Sequence, residues 1–177
     1  MSYVINLDYT LTNFFNQLIP HNIFFDRFFS FFSLKGSSIL IWILIIGIVL
    51  LLEERKNPGI NKRDKKFIFL FSISFLLTFL LADIVLKNIF LRPRPMLSDF
   101  ICPSDFSFPS AHAATAFAAA GILAHFDKKR RWFYYSVAIF ISYSRIYLGC
   151  HYLFDVVAGA LLGYLISKFT LKLFPNP

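Results

Sequence analysis

Long apolar stretches recur along this chain, and short polar segments separate them. Five stretches are long enough to cross a bilayer as helices, and they run approximately over residues 36–52, 67–86, 110–126, 132–149 and 155–174. The first and third are short for a hydrocarbon layer about 30 Å thick, so we expect each to use flanking residues or to lie where the protein thins the membrane. The pattern predicts an all-α integral membrane bundle with five transmembrane helices.

The first 35 residues follow a different pattern, in which phenylalanines alternate with polar residues around Pro20. Such a mixture crosses hydrocarbon poorly, because its polar groups find no partners there. It predicts one or two amphipathic helices, broken at Pro20, that lie in the membrane interface with their rings toward the acyl chains. A sixth, weakly hydrophobic span is the alternative. Residues 1–35 are thus expected to form an interfacial segment, and residues 36–177 a single transmembrane domain.

The composition indicates a membrane protein and excludes an ordinary soluble domain. Hydrophobic residues make up 57% of the 177 residues, and charged residues only 16%. The net charge of +8 suggests nucleic-acid binding until its distribution is considered. Cations concentrate in the polar segments 53–66 and 127–131, and such an excess is typical of cytoplasmic loops. We therefore expect no nucleic-acid partner, because the charge orients the protein with its amino terminus outside and its carboxyl terminus inside.

The connections 87–109 and 150–154, with the helix ends beside them, are then predicted to lie outside. They carry cations against the orientation rule, and ionisable groups kept at membrane helix ends usually serve a function. Snorkelling at the interface explains one or two of these groups but not a set shared among four helices. The set comprises Lys87, Arg92, Arg94, Ser110, His112, Arg145, His151 and Asp155.

His151 and Asp155 are four residues apart, which on a helix places both on one face. The carboxylate is then close enough to accept the imidazole N–H and to direct the other ring nitrogen outward as a nucleophile or base. Taken alone, the pair is more typical of a helix cap or a structural hydrogen bond. It gains weight from the residues around it.

Ser110 is a candidate N-cap for the third apolar stretch. Free backbone N–H groups and the positive end of the helix dipole are expected to converge there, and such an end binds phosphate. Lys87, Arg94 and Arg145 are permanent cations that suit the oxygens of a phosphoryl group in transfer. A carboxylate ligand would need fewer of them.

Three ordered motifs with fixed internal spacing contain these residues, except that Arg92 falls on a variable position of the first motif. They are Lys-x6-Arg-Pro at residues 87–95, Pro-Ser-Ala-His at 109–112 and Ser-Arg-x5-His-x3-Asp at 144–155. They resemble the motifs of the type 2 phosphatidic acid phosphatase (PAP2) superfamily, which includes glucose-6-phosphatase and vanadium haloperoxidases. The resemblance covers roughly residues 67–174. Ala111 stands where the family commonly has glycine, which keeps the backbone N–H and adds a methyl group beside the phosphate pocket.

The resemblance implies a role for each motif residue. His151 attacks phosphorus and forms a phosphohistidine, Asp155 holds its tautomer, and His112 protonates the leaving oxygen and then activates water. The phosphate is bound by Lys87, Arg94, Ser110, Arg145 and a backbone N–H near Ala111. No metal or other cofactor is implied. A zinc site formed by the two histidines and the aspartate is the weaker alternative, because the nearby cations repel a metal ion.

Residues outside the motifs carry further expectations. Arg92 is out of frame with Lys87 and is interpreted as an interfacial or headgroup contact, whereas Asp83 is expected to form an ion pair with Lys87. Two histidines are interpreted as structural, namely His21 and His125. Both cysteines are predicted outside, where a disulfide persists, but contact between them does not follow from the sequence; they are Cys102 and Cys150.

These features predict a small bacterial enzyme of the inner membrane that removes phosphate from a lipid monoester or diphosphate at the periplasmic face. The resemblance implies the substrates of family members of this size as candidates, namely undecaprenyl diphosphate, the 1-phosphate of lipid A, phosphatidylglycerophosphate and phosphatidic acid. A lipid-to-lipid phosphotransferase would use the same catalytic residues. A non-catalytic transporter or binding protein for anionic lipids is the alternative from another class, and it leaves the His151–Asp155 spacing unexplained. The oligomeric state does not follow from the sequence.

Overall fold

The computed structural model describes residues 2–33, 37–54, 59, 61–95, 97 and 102–175, and these residues contain helices and no strand. The α-helices are α1 (Ser2–Gln17), α2 (Ile23–Ser33), α3 (Ser37–Glu54), α4 (Lys62–Phe79), α5 (Lys87–Phe90), α6 (Ala111–Phe126), α7 (Arg131–Tyr147) and α8 (Leu153–Leu173). A π-helical segment, Leu80–Leu86, joins α4 to α5, and a 3-10 turn, Lys128–Arg130, precedes α7.

Each of the five predicted apolar stretches coincides with one helix or one continuous run of helices. In chain order these are α3, the run from α4 to α5, α6, α7 and α8. By length and apolar composition, two runs within the described ranges qualify as membrane spans, Lys62–Phe90 and Leu153–Leu173. Two shorter apolar helices are Leu40–Leu51 and Ala111–Phe126. The all-α prediction is confirmed, while the count of five spans stays a prediction.

The amino-terminal segment forms α1 and α2 on either side of Pro20, as the helix-breaking proline predicted. Helix α1 turns its polar side toward the bundle, where Asn16 donates hydrogen bonds to the carbonyl oxygens of Ile146 and Tyr147 at 2.9 and 2.7 Å. Its buried polar residues are Asp8, Thr12 and Asn16. The apolar side of α1 is exposed, including Ile5 and Phe14. This arrangement suits a helix with its rings toward lipid, and the interfacial location stays a prediction.

Helix α6 lies at the centre of the bundle, where it packs against α4, α7 and α8. Its alanines are small enough for α8 to approach closely. Two glycines of α8 face α6, and a Cβ added at Gly159 would lie 2.4 Å from the carbonyl oxygen of Ser110. At Gly163 it would lie 1.9 Å from the carbonyl oxygen of Ala114. The close crossing fixes the amino-terminal ends of α6 and α8 relative to each other.

Substituting Gly163 by alanine is therefore expected to lower the free energy of unfolding by about 1–3 kcal/mol, because the added methyl group forces the two helices apart. Thermal unfolding of the detergent-solubilised protein measures the effect. Gly47→Ala is the matched control, since nothing lies within 4 Å of a Cβ added at that helical glycine. Equal melting temperatures for both variants would contradict the close crossing of α6 and α8.

A disulfide bond joins Cys102 to Cys150, whose Cα atoms are 5.4 Å apart. The sequence left this pairing open. The bond ties the segment that follows α5 to the connection between α7 and α8. It therefore links two stretches that carry predicted site residues.

Candidate active site

A cavity of about 400 Å³ opens where the helical run from α4 to α5, α6, α7 and the segment after α5 meet. Six of the eight predicted site residues line it, namely Lys87, Arg94, Ala111, His112, Arg145 and His151. The other two, Ser110 and Asp155, are fully buried and lie beside the cavity wall. The three motifs, although far apart along the chain, thus contribute to one cavity.

The imidazole of His151 is held on both sides. Its Nδ1 lies 2.8 Å from the carbonyl oxygen of Ser107, which accepts only if Nδ1 carries the proton. Its Nε2 lies 2.9 Å from Nη1 of Arg94, and the guanidinium is always a donor there. These contacts select the neutral tautomer with the lone pair on Nε2. The Oδ2 atom of Asp155 is 3.7 Å from Nδ1, so Ser107 is the nearer partner, and the sequence motifs did not point to it.

The surroundings of His151 favour this neutral form. Burial lowers the pKa of His151 well below its ordinary value, and the positive charges of Arg145, Arg94 and Lys87 lower that pKa further. The hydrogen bond to Ser107 acts in the opposite direction and is the smaller effect. At neutral pH the ring is therefore uncharged, and its Nε2 lone pair is available for attack.

Arg145 is a buried cation with unused donors. It is 2% exposed, and its Nη1 donates to the carbonyl oxygen of Ser33 at 3.2 Å and also to the Ser33 hydroxyl. Its Nε and Nη2 have no hydrogen-bond partner among the residues that the structure describes. Unpaired buried donors of a charged group are costly, so this guanidinium is suited to receive an anion from the cavity.

Asp105 binds the two other cations of the cavity. Its carboxylate accepts hydrogen bonds from the Lys87 ammonium and from Nη2 of Arg94, and Lys87 also binds Asp83, as predicted. Burial raises the pKa of Asp105, but the bonds from Lys87 and Arg94 outweigh that effect and lower the pKa to about 2. Asp105 lies between the first and second motifs, where no local pattern marks it. It was missed by the sequence reasoning.

The amino-terminal end of α6 forms another wall of the cavity. Ser110 is the N-cap of α6, as predicted, and its Oγ accepts from the backbone N–H of Ala113 at 3.5 Å. Its own backbone N–H donates to the carbonyl oxygen of Asp155 at 3.0 Å. This bond couples the starts of α6 and α8. His112 is the second residue of α6 and faces the same cavity as His151.

Arg92, interpreted from the sequence as an interfacial or headgroup contact, forms ion pairs within the protein. Its Nη1 binds Oδ1 of Asp155 and its Nη2 binds Oδ2 of Asp8, both at 2.6 Å. Its guanidinium also lies 4.0 Å from the centre of the Tyr152 ring. No local pattern predicts these contacts, because Asp8 and Asp155 are 84 and 63 residues away from Arg92.

The histidines outside the motifs lie away from the cavity. His21 stacks on the Tyr147 ring with 4.3 Å between ring centres, and His125 is at the opposite end of α6. Within the described ranges, no group of three or more histidine, cysteine, aspartate or glutamate side chains is arranged to hold a metal ion. The ionisable groups that line the cavity, counted over the described residues, are three cations, two imidazoles and two carboxylates.

Comparison with known proteins places these motifs in a family. The PAP2 superfamily model matches residues 67–177, which contain all three motifs. The chain belongs to the PAP2 superfamily. The resemblance predicted from the motifs is thereby confirmed, and the matched region begins in α4, after α1 to α3.

Relatives of this PAP2 protein are named as lipid phosphatases. An undecaprenyl-diphosphatase from Sulfolobus acidocaldarius is 30% identical over 75% of this chain and 63% of its own length. A lipid A 4′-phosphatase from Bacteroides thetaiotaomicron is 30% identical over 92% of this chain and 75% of its own length. The crystal structure of Aquifex aeolicus LpxE superposes with a TM-score of 0.67 at 30% identity, covering 92% of this chain and 93% of that one. At 63%, the part of the Sulfolobus protein that this chain spans is less than two thirds of its length.

Proposed function

We propose that this protein is a membrane lipid phosphatase that works through a phosphohistidine at His151 and needs no metal ion. The observation that carries the proposal is the pairing, in one cavity, of a neutral imidazole with a buried guanidinium whose Nε and Nη2 find no hydrogen-bond partner in the described part of the chain. An imidazole lone pair supplies a nucleophile, and Arg145 supplies charge-assisted donors for a tetrahedral anion. Lys87 and Arg94 add the positive charge that a metal ion would otherwise provide.

The first half-reaction transfers the phosphoryl group to the enzyme. Nε2 of His151 attacks phosphorus, the bond from phosphorus to the lipid oxygen breaks, and His112, which the negative charge of the bound phosphate keeps as an imidazolium, gives its proton to that oxygen. Arg94 must first release Nε2, and its donors then bind the phosphoryl oxygens. The ring keeps the proton on Nδ1, which stays hydrogen-bonded to the carbonyl oxygen of Ser107. It therefore becomes a cation, and the carboxylate of Asp155 stabilises its positive charge.

The second half-reaction returns the enzyme to its starting state. His112, now neutral, accepts a proton from a water molecule, whose oxygen attacks phosphorus. The bond between phosphorus and Nε2 breaks, and its electron pair returns to the ring of His151. Inorganic phosphate leaves, and Arg94 resumes its contact with Nε2.

The arrangement of charge and disulfide supports a periplasmic site. Helix α6 begins at the cavity and ends beside the basic segment 127–131, so the two lie at opposite ends of one helix. Basic segments of this kind stay on the cytoplasmic side. The Cys102–Cys150 bond lies next to His151 in the chain, and disulfides persist outside the cytosol. Both features favour a site facing the periplasm in an inner-membrane protein.

The cavity wall supports a lipid as the phosphate donor. Phe75 and Phe79 of α4 line the cavity together with the cations, and their run of helices qualifies as a membrane span. An acyl or prenyl chain attached to the phosphate can lie against these rings. Lipid A and undecaprenyl diphosphate are the substrates that the names of the two relatives suggest, and phosphatidylglycerophosphate and phosphatidic acid are further candidates.

A phosphate-release panel tests the activity and its substrate. Purified protein in detergent is assayed with undecaprenyl diphosphate, lipid A, phosphatidylglycerophosphate and phosphatidic acid, with and without a chelator. We expect release from at least one lipid and no loss with the chelator. Radiolabel that moves to a second lipid instead of to inorganic phosphate would indicate a phosphotransferase. Binding of all four lipids without any transfer would favour the transporter or binding protein.

A further inference from the structure

Two buried carboxylates and the partly exposed guanidinium between them form a row of alternating charge beside the cavity. Arg92 lies between the carboxylates of Asp155 and Asp8. Its guanidinium donates a hydrogen bond of 2.6 Å to each of them. Asp155 is 0% exposed and Asp8 1% exposed. The row carries one positive and two negative charges, so its net charge is negative. Asp8 belongs to α1, which lies outside the residues that match the family.

Helix α1 is fixed to the start of α8, the helix that carries Asp155. The other carboxylate oxygen of Asp8 accepts from the backbone N–H of Phe154 at 3.0 Å. The hydroxyl of Thr12, one turn later, accepts from the N–H of Leu153 at 2.9 Å. These are first-turn N–H groups of α8, which lack partners within their own helix. Asp8 is therefore held in a defined place relative to both Arg92 and Asp155.

We propose that Asp8 is a positioning residue for phosphoryl transfer. Because Asp8 and Asp155 share the single positive charge of Arg92, Asp155 keeps the negative charge that the phosphorylated His151 ring requires. The proposal rests on the proposed phosphohistidine mechanism. Paired with Arg92 alone, Asp155 would belong to a neutral ion pair with little charge to offer a developing imidazolium. With Asp8 on the second nitrogen of the guanidinium, the row presents a net negative charge to the ring in a region of low dielectric, where that charge acts strongly.

The charges that surround the two groups set the size of the effect. His151 is faced by Lys87 of α5, Arg94 and Asp105 of the following segment, His112 of α6, Arg145 of α7 and Asp155 of α8. Arg92 is faced by Asp8 and Tyr9 of α1, Asp155 of α8 and Tyr152 just before α8. Because cations outnumber carboxylates around His151, removal of one carboxylate from the row is not masked by others.

The pH dependence of kcat/KM tests the proposal, because its acid limb reports the protonation of His151 in the free enzyme. Activity falls as the pH drops through the pKa of this ring. Asp8→Asn removes a negative charge, disfavours the cation and is expected to move the limb to lower pH. Arg92→Gln removes a positive charge and is expected to move it to higher pH. Each displacement is expected to be about half a pH unit or more.

A purely structural role for Asp8 predicts a different outcome, and matched variants separate the two. Thr12→Val removes the neighbouring bond to α8 without a change of charge, and Arg92→Lys keeps the charge of the row. Both are expected to keep the parental acid limb. We also expect Asp8→Asn to lower kcat about 3- to 10-fold with less than about a twofold change in KM, since Asp8 does not line the cavity. Size-exclusion profiles and melting curves confirm that each variant is folded.

The proposal is overturned if the acid limbs of Asp8→Asn and Arg92→Gln move in the same direction, or if neither limb moves. A limb of Thr12→Val that is displaced like that of Asp8→Asn would also overturn it. If Asp8→Asn does not fold, the contrast between Arg92→Gln and Arg92→Lys still decides. A His151→Gln protein with parental activity would instead refute the proposed mechanism itself. The failure of the inference and the failure of the proposed function are thus distinguishable.

Discussion

Replacing His151 with glutamine is expected to lower the rate of phosphate release at least about 1,000-fold, which corresponds to about 4 kcal/mol of transition-state stabilisation. Glutamine approximates the size of histidine and offers an amide in place of the Nε2 lone pair. The donors of Arg145 remain, so lipid binding is expected to change little while turnover is lost. Phosphate release and lipid binding, measured on the same preparations, check both expectations.

His125→Gln is the matched control for this experiment. It makes the same chemical change at the opposite end of α6, away from the cavity, and is expected to keep parental activity. Parental rates for His151→Gln would remove the residue from the proposed role. Loss of activity in both variants would indicate a general effect of histidine replacement on the fold.

The second large effect is expected at His112. His112→Ala removes the proton donor to the leaving oxygen and the base for water, and is expected to slow release from a lipid phosphate about 100- to 10,000-fold. A phenolic leaving group of low pKa needs no proton, so with an aryl phosphate only the second half-reaction should be slow. Under those conditions the phosphorylated enzyme is expected to accumulate.

Rapid quenching in alkali tests this accumulation, because a phosphohistidine survives alkali and is lost in acid. We expect His112→Ala to retain the radiolabelled phosphoryl group. The double variant that also lacks His151 is expected to retain none. Fast turnover of aryl phosphate by His112→Ala without retained label would assign the activation of water to another group. The two histidines then differ in role by experiment as well as by position.

The residues of the cavity followed closely from the sequence, because each motif is local. Lys87 and Arg94 are seven residues apart across the end of α5, and His151 and Asp155 span the start of α8. Neither pair lies on a single helix, because Arg94 follows α5 and His151 precedes α8. The expectation that His151 and Asp155 share a helix face is therefore wrong, and the short spacing alone keeps each pair close. The helix break at Pro20 and the N-cap at Ser110 are local in the same sense.

The partners of these residues did not follow from the sequence, because they come from distant parts of the chain. Arg92 binds Asp8 across 84 residues, and His151 binds the carbonyl oxygen of Ser107 across 44. A backbone carbonyl leaves no mark in a sequence, and a single aspartate in an amphipathic helix has no distinguishing pattern. The Cys102–Cys150 bond depends in the same way on how two loops fold together.

The position of Asp105 has a consequence for how tightly phosphate is held. Together with Asp83, its carboxylate already balances the charges of Lys87 and Arg94, so an arriving phosphate exchanges one anion for another instead of meeting bare cations. The affinity of the cavity for phosphate depends on how much more strongly the cations bind phosphate than they bind the carboxylate. This affinity is lower than the number of cations alone would suggest. When inorganic phosphate departs, the carboxylate is tethered nearby to take its place. A pocket rich in positive charge can in this way release its product.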